Sequence, residues 1–219
     1  ASAFSPSNEM SINSVQPGFA EQDPETWWDE LTNAVALLRK QVSYQKDEVA
    51  AIGISYQMHG LVCVDKDLKP LRASIIWCDS RAVETGNKAF EALGSTFCLQ
   101  QFLNSPGNFT ASKLKWVKDN EPEVYNRIHK IMLPGDYIAM KLTGEPSTTI
   151  SGLSEGILWN FNRSDTATEI LEHYGIDSSL LSPVVPTFGE QGTVQQSVSD
   201  ILHLRAGIPV SFRSGDQPN

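Results

Sequence analysis

Short apolar runs that end in polar residues recur along this chain. They cover residues 52–56, 73–77 and 209–212. Each run is the length of a short buried strand and is followed by residues that favour turns. The polar residues that follow the runs are Gln57 to His59, Asp79 to Arg81, and Asp216 with Gln217. Because strand ends at one edge of a sheet bring such side chains together, the pattern predicts one shared pocket.

Helical periodicity fills much of the sequence between these runs. Asp23 precedes Pro24 and an apolar face that includes Trp27 and Trp28, as in a capped helix whose tryptophans pack in the core. Further helices are predicted over residues 81–93, 110–120, 134–143, 166–174 and 199–205, with another starting at Pro122. Strands are predicted within residues 1–22, at 49–55, 61–65 and 210–212, and residues 145–156 are predicted to form a loop. This alternation indicates the α/β class.

Composition narrows the functional classes. With 219 residues, 40% of them hydrophobic, the chain can bury a sizeable core. A net charge of −9 without any basic run argues against a nucleic-acid partner. No apolar stretch reaches the ~20 residues needed to span a bilayer, and the amino terminus lacks signal-peptide features. We therefore expect a cytoplasmic protein with no membrane partner.

The cysteines and histidines show no metal-binding pattern. Cys63, Cys78 and Cys98 are odd in number and widely spaced. That spacing suits reduced thiols packed as small buried residues better than a disulfide framework or a zinc site. Neither Cys-x-x-Cys nor His-x-x-x-His occurs, so no metal site is predicted within the chain.

The polar strand ends carry a family resemblance. The segments Gln57-Met58-His59-Gly60 and Trp77-Cys78-Asp79-Ser80-Arg81 resemble the sugar-recognition segments of the FGGY carbohydrate kinases, most closely the xylulokinase branch. Other segments agree in the same order from residue 1 to residue 219. They are residues 17–24 with Trp27-Trp28, residues 110–116, 133–138 and 142–145.

The resemblance implies a fold and an activity. The implied fold is ribonuclease H-like, as in actin and hexokinase, with a mixed sheet and flanking helices. The implied activity is ATP-dependent phosphorylation of a sugar, with D-xylulose favoured and gluconate, fuculose or ribulose as alternative substrates. ATP and Mg²⁺ are the expected cofactors, and a homodimer is left open. Compared with the family, both ends look cut: the first phosphate-loop hairpin and the carboxy-terminal nucleotide-binding domain are expected to be missing. The chain would then be the amino-terminal sugar-binding domain, inactive alone, or a non-catalytic sugar-binding module.

By position in the family's motifs, Asp216 is the expected catalytic base. The string from Asp216 to Asn219 would otherwise indicate only a turn. Gln217 is expected to hydrogen-bond the substrate or a neighbouring loop. His59 suits a sugar hydroxyl because its ring can both donate and accept a hydrogen bond. Met58 would lie against the apolar face of the sugar, and Gln57 would orient the loop or contact the sugar.

Four further residues are candidates with alternatives. Trp77 either lines the pocket or packs in the core. Asp79 and Arg81 either shape the pocket or form a solvated ion pair with each other. Asn108 occupies a position where related kinases carry a polar side chain facing the sugar. The family often has Asp where this chain has Gly152, a departure that leaves room for a ketose other than xylulose or for a sugar acid.

Overall fold

The structure, a computed structural model, describes residues 1–217 and confirms the α/β class. The helices are α1 (Pro24–Gln41), α2 (Val83–Leu93), α3 (Ser95–Gln101), α4 (Thr110–Asn120), α5 (Pro122–Tyr125), α6 (Pro134–Thr143), α7 (Ile150–Glu155), α8 (Thr168–Tyr174) and α9 (Gln196–Leu202). The strands are β1 (Glu21–Gln22), β2 (Ile52–Tyr56), β3 (Val62–Val64), β4 (Ser74–Ile75), β5 (Lys130–Met132), β6 (Thr148–Thr149), β7 (Trp159–Asn160), β8 (Asp165–Thr166), β9 (Val184–Val185) and β10 (Val210–Gly215).

The strands pair in both directions, as the expected mixed sheet requires. β2 is parallel to β10 and β6 to β9, whereas β1 with β4, β3 with β5, and β7 with β8 are antiparallel. Among residues 1–217 these ladders are two-stranded, and isolated bridges such as Leu61 with Ile75 connect neighbouring pairs.

Strand β3 separates two hydrophobic clusters. Val62 and Val64 pack in one cluster, while Leu61 and Cys63 pack in the other. Successive side chains of a strand face opposite sides, so a strand buried on both faces reads as a continuous apolar run. Helices α4 and α8 cover the Leu61 side, and α1, α6 and α9 cover the Val62 side.

The predicted helix ends are largely confirmed. The Asp23 carboxylate accepts a hydrogen bond from the Glu25 N–H at 3.0 Å, and Pro24 is the first residue of α1. Trp28 is buried in the core. Helix α6 ends at Gly144, whose φ of 82° lies in the left-handed region that glycine adopts most easily.

The predicted loop over residues 145–156 is wrong. The segment contains β6 and α7, and the Thr149 hydroxyl caps α7 by accepting a hydrogen bond from the Gly152 N–H at 3.1 Å. Ser, Thr and Gly are favoured at helix caps as well as in loops, so composition alone did not separate the two.

Several smaller expectations also need correction. Residues 1–20 form no strand, and only an isolated bridge joins Asn13 to Glu21. Thr110 is the first residue of α4 rather than its cap. Its hydroxyl donates instead to the Gly60 carbonyl at 3.2 Å. Helix α3 was not predicted. All three cysteines are free thiols, but Cys78 is exposed rather than buried.

Candidate functional site

The carboxyl ends of β2 and β10 lie side by side. Their parallel ladder pairs Gly215 with Tyr56, and the Asp216 N–H then donates to the Tyr56 carbonyl at 2.8 Å. The segment from Gln57 to His59 and the pair Asp216-Gln217 therefore leave the strands at the same edge.

A cavity of about 340 Å³ lies at this edge. Three segments of the sequence converge on it, as in the predicted shared pocket, but Gln57, Asp79 and Arg81 are not among its lining residues. Its lining residues are Met58, His59, Trp77, Asp216 and Gln217.

A second cavity, of about 350 Å³, shares Met58 and His59 with the first. Apolar and aromatic side chains form part of its wall, and hydroxyl and carboxylate groups form the rest. Both kinds of wall are typical of small-molecule sites. The apolar wall comprises Phe102, Leu103, Phe109 and Ile157, and the polar side chains include Ser151, Ser154 and Glu155.

His59 adopts an uncommon backbone conformation between the two cavities. Its φ is 62°, in the left-handed region. Its N–H donates to Glu155 Oε1 at 3.0 Å, and its carbonyl accepts from Lys113 Nζ at 2.7 Å. The imidazole packs edge-to-face against Phe109 with ring centroids 4.5 Å apart. Burial lowers the pKa of His59, and the Lys113 charge lowers it further, so the ring is held neutral near pH 7.

Glu155 is a site residue that the sequence analysis missed. Besides the His59 N–H, it accepts a hydrogen bond from the Tyr56 hydroxyl at 3.1 Å. Burial raises the pKa of Glu155 to about 7, and the nearby charges of Asp136 and Asp216 raise it as well. The sequence analysis predicted a loop over residues 145–156 and therefore did not place Glu155 at the end of a helix.

Lys113 is the second missed residue. It is fully buried, and its ammonium group donates to the carbonyls of His59 and Ile76, the latter at 2.9 Å. Burial lowers the pKa of Lys113 to about 8. A lysine on the same face of α4 as Val117, four residues further on, was the available signal, since lysine is almost never fully buried without a partner.

Trp77 and Gln57 have different positions relative to the cavity, because Trp77 is a lining residue and Gln57 is not. Trp77 is 60% exposed and lines the cavity, so it does not pack in the core. The Gln57 side chain donates to Gln22 Oε1 at 3.2 Å, a contact that fixes the loop after β2. That contact fits the expectation that Gln57 orients the loop.

Asp79 and Arg81 form an ion pair with each other, as one of the two alternatives predicted, but the pair is buried rather than solvated. Their charged groups lie 2.7 Å apart, and their side chains are 0% and 1% exposed. The Asp79 carboxylate also accepts from the Ala20 N–H at 2.6 Å, and the Arg81 guanidinium stacks 3.8 Å from the centre of the Phe19 ring. Among residues 1–217, neither Asp79 nor Arg81 lines either of the two cavities at the ends of β2 and β10.

Asn108 lies beside this ion pair. Its amide nitrogen donates to the Asp79 carbonyl, while its buried Oδ1 has no hydrogen-bond partner among residues 1–217. Its expected role toward a sugar stays a prediction.

The described residues contain neither a cluster suited to a metal ion nor a membrane-spanning helix. No group of three or more His, Cys, Asp or Glu side chains within residues 1–217 is arranged to hold a metal ion. No helix in that range combines the length and apolarity that a membrane span needs.

Fold and site together define the class of protein. A parallel strand pair ends in a carboxylate and a histidine that face a common small-molecule cavity. Residues 4–218 match the FGGY family of carbohydrate kinases, N-terminal domain. The chain belongs to this family.

Individual relatives agree with the family. A xylulose kinase from Staphylococcus xylosus is 32% identical over 207 residues, which cover 93% of this chain and 42% of that protein. A xyloylose kinase from Brucella ovis superposes with a TM-score of 0.85 at 28% identity, over 95% of this chain and 43% of that structure. The chain thus spans less than half the length of either relative.

A third comparison bears on the fold alone. A Plasmodium falciparum glycerol kinase with ADP superposes with a TM-score of 0.84 at 22% identity, over 96% of this chain and 43% of that structure. Together with the Brucella ovis structure, it confirms the expected ribonuclease H-like fold of the actin and hexokinase type.

Proposed function

We propose that this chain is the sugar-binding domain of an ATP-dependent sugar kinase and that its substrate is D-xylulose. The observation that carries the proposal is the single cavity onto which His59 and Asp216 both open. The xylulose kinase from Staphylococcus xylosus, which matches 93% of this chain, supports the choice of substrate.

Sugar recognition follows from the chemistry of the cavity wall. A neutral His59 ring can donate to one hydroxyl and accept from another. Met58 and Trp77 offer apolar surface to the C–H face of a sugar. A buried polar group left without a partner costs about 1–3 kcal/mol, so a sugar with a misplaced hydroxyl binds less well.

Asp216 is proposed to act as the general base. It is exposed at the end of β10 and faces the cavity, where it can reach a hydroxyl of a bound sugar. Removing the hydroxyl proton as the oxygen attacks the γ-phosphoryl group of ATP would leave the proton on Asp216. The transferred group ends on the sugar oxygen, and ADP leaves.

Kinases of this family use ATP and a divalent metal. Within residues 1–217 no group of three or more His, Cys, Asp or Glu side chains is arranged to hold a metal ion, and the chain has no P-loop sequence. We therefore propose that the nucleotide and its metal ion are held mainly by another part of the protein. The described residues would bind the sugar and provide the general base.

A sugar panel tests the substrate. Thermal unfolding of the 219-residue chain would be followed with D-xylulose, D-ribulose, L-fuculose and D-gluconate. A ligand at 100 times its Kd stabilises a protein by about 2.7 kcal/mol, so a binding sugar should raise Tm measurably. Phosphorylation would then be measured with the complete polypeptide that contains this chain.

Each outcome separates the candidates. Stabilisation and phosphorylation of D-xylulose support the proposal, while the same results with another sugar favour the corresponding kinase. Binding without phosphorylation by the complete polypeptide indicates a non-catalytic sugar-binding module. Failure of every sugar to bind overturns the proposed function.

A further inference from the structure

The backbone of His59 needs support from its surroundings. A residue with a Cβ atom is disfavoured at a φ of 62° because the Cβ approaches the following carbonyl oxygen. Such conformations persist where neighbouring groups hold them. Here the strained residue is one of the two, with Met58, that line both cavities.

Two ionisable side chains hold the backbone of His59 at both of its polar groups. Glu155 accepts the N–H at 3.0 Å, and Lys113 donates to the carbonyl at 2.7 Å. These two hydrogen bonds therefore fix the orientation of both peptide units that flank His59.

Each of the two side chains also forms a hydrogen bond with a second residue close to the site. Glu155 accepts from the hydroxyl of Tyr56, the last residue of β2, at 3.1 Å. Lys113 donates at 2.9 Å to the carbonyl of Ile76, the residue before Trp77. Through Lys113, α4 joins the two loops that line the cavity, and through Glu155, α7 holds the end of β2 to the loop that follows it.

We propose that Glu155 and Lys113 are positioning residues for sugar binding, which hold His59 from both sides in its left-handed conformation and so aim its imidazole at the sugar. The inference rests on the proposed function and deepens it. Neither side chain needs to touch the reacting atoms. Their effect on the sugar passes through the His59 backbone.

Paired substitutions separate positioning from charge and from general stability. Glu155→Gln keeps an oxygen that can accept the His59 N–H, whereas Glu155→Ala removes it. Lys113→Met keeps the length of the side chain and removes both donated hydrogen bonds. The controls are Glu172→Ala and Lys40→Met, because both residues are exposed and lie on other helices.

Sugar Kd would be measured by calorimetry on the 219-residue chain, and KM and kcat on the complete kinase. We expect Glu155→Ala and Lys113→Met to raise Kd and KM at least tenfold, with kcat changed less than threefold. Glu155→Gln should stay within threefold of the unsubstituted protein in Kd and KM. The nitrogen chemical shifts of the His59 ring should move in the Ala and Met variants and remain in place in the controls.

The contrary results are equally specific. Folded Glu155→Ala with unchanged Kd, KM and His59 shifts overturns the inference. Equal losses in Glu155→Gln and Glu155→Ala also overturn it, because they would mean that the charge itself acts on the sugar. If Lys113→Met fails to fold, the comparison of Glu155→Gln with Glu155→Ala decides whether the inference holds. If the unsubstituted chain binds no sugar, the proposed function fails, and the His59 shifts alone then decide whether the two residues position the ring.

Discussion

Arg213 Nε lies 2.9 Å from Asp136 Oδ1, and the two side chains are 0% and 2% exposed. Arg213 is on β10, two residues before the end of that strand, and Asp136 is in the first turn of α6. The guanidinium also donates to the Ser147 hydroxyl at 3.1 Å. This buried pair therefore ties the strand that leads to Asp216 to the helix that packs against Tyr56.

Removing one partner of this pair should strongly destabilise the chain. We expect Asp136→Ala or Arg213→Met to lower the free energy of unfolding by about 3–5 kcal/mol, because each leaves an unpaired charge in the core. Urea denaturation measures the loss. Asp200→Ala, which breaks the exposed pair with Lys46, should cost only about 0–1 kcal/mol. Similar losses for the buried and exposed pairs would contradict this account.

A methyl group at Gly215 should disturb the cavity. A Cβ there would lie 2.2 Å from Met58 Cγ and 3.3 Å from Glu155 Oε2. We expect Gly215→Ala to push Met58 toward the cavity, weaken sugar binding and lower stability by about 1–3 kcal/mol. Calorimetry with the sugar and urea denaturation would measure the two effects.

The matched control is Gly53 on the paired strand β2. A Cβ at Gly53 would meet only Phe212 Cδ1, at an ordinary 3.9 Å. Gly53→Ala should therefore leave sugar affinity unchanged. An equal loss of affinity in both variants would show that strand geometry, rather than Met58, is responsible.

Stability should depend on pH through Glu155. Its pKa is raised from 4.5 to about 7 in the folded chain, so its protonated form is favoured by folding. The stability that this group contributes is fully present below pH 4.5 and is lost as the pH rises through about 7. Glu155→Gln should therefore reduce the fall in the urea midpoint between about pH 5 and about pH 8.

Only the difference between the two proteins tests this prediction, because other groups titrate nearby. The lowered pKa of His59 acts in the opposite direction, since its contribution is lost as the pH falls through the folded-state pKa. Identical pH profiles for the unsubstituted chain and Glu155→Gln would refute the role of Glu155. The ionisable groups that influence Glu155 are those of Tyr56, Asp136 and Asp216, and the backbone N–H of His59 acts on it as well.

Asp216→Asn should separate catalysis from binding in the complete kinase. Loss of a general base lowers kcat by about 100-fold to 10,000-fold, while a sugar that is held mainly by other groups keeps its Kd within a few-fold. Rapid-quench phosphorylation and calorimetry measure the two quantities. Asp47→Asn, at an exposed position between α1 and β2, is the control. A kcat within threefold of the unsubstituted enzyme would exclude Asp216 as the base.

His59→Asn should chiefly weaken sugar binding. Asn tolerates the left-handed backbone conformation, so the loop should keep its shape while the reach of the imidazole is lost. We expect KM to rise by an amount equivalent to about 1–3 kcal/mol. His129→Asn, at an exposed position before β5, provides the comparison. An unchanged KM in His59→Asn would refute the contact between His59 and the sugar.

Sequence patterns identified the parts of the site that lie next to each other in the chain. The apolar runs before Gln57 and Asp216 predicted two strand ends, and the strands β2 and β10 end at Tyr56 and Gly215. Local signals such as the Asp23 cap and Gly144 predicted helix ends, because caps and left-handed glycines act over a few residues. The motifs in their order also identified the family.

The tertiary structure decided which distant side chains meet these segments. Glu155 is 96 positions from His59, and Lys113 is 54 positions from it, yet both bond to its backbone. Asp79 and Arg81, although adjacent to the Trp77 wall, turned into the core because Ala20 and Phe19 offer them partners there. The sequence by itself determined the strands β2 and β10, the Asp23 cap, the helix end at Gly144 and the local polar clusters. The partners of each buried charge were determined only by packing across the two hydrophobic clusters. That packing depends on the path of the whole chain.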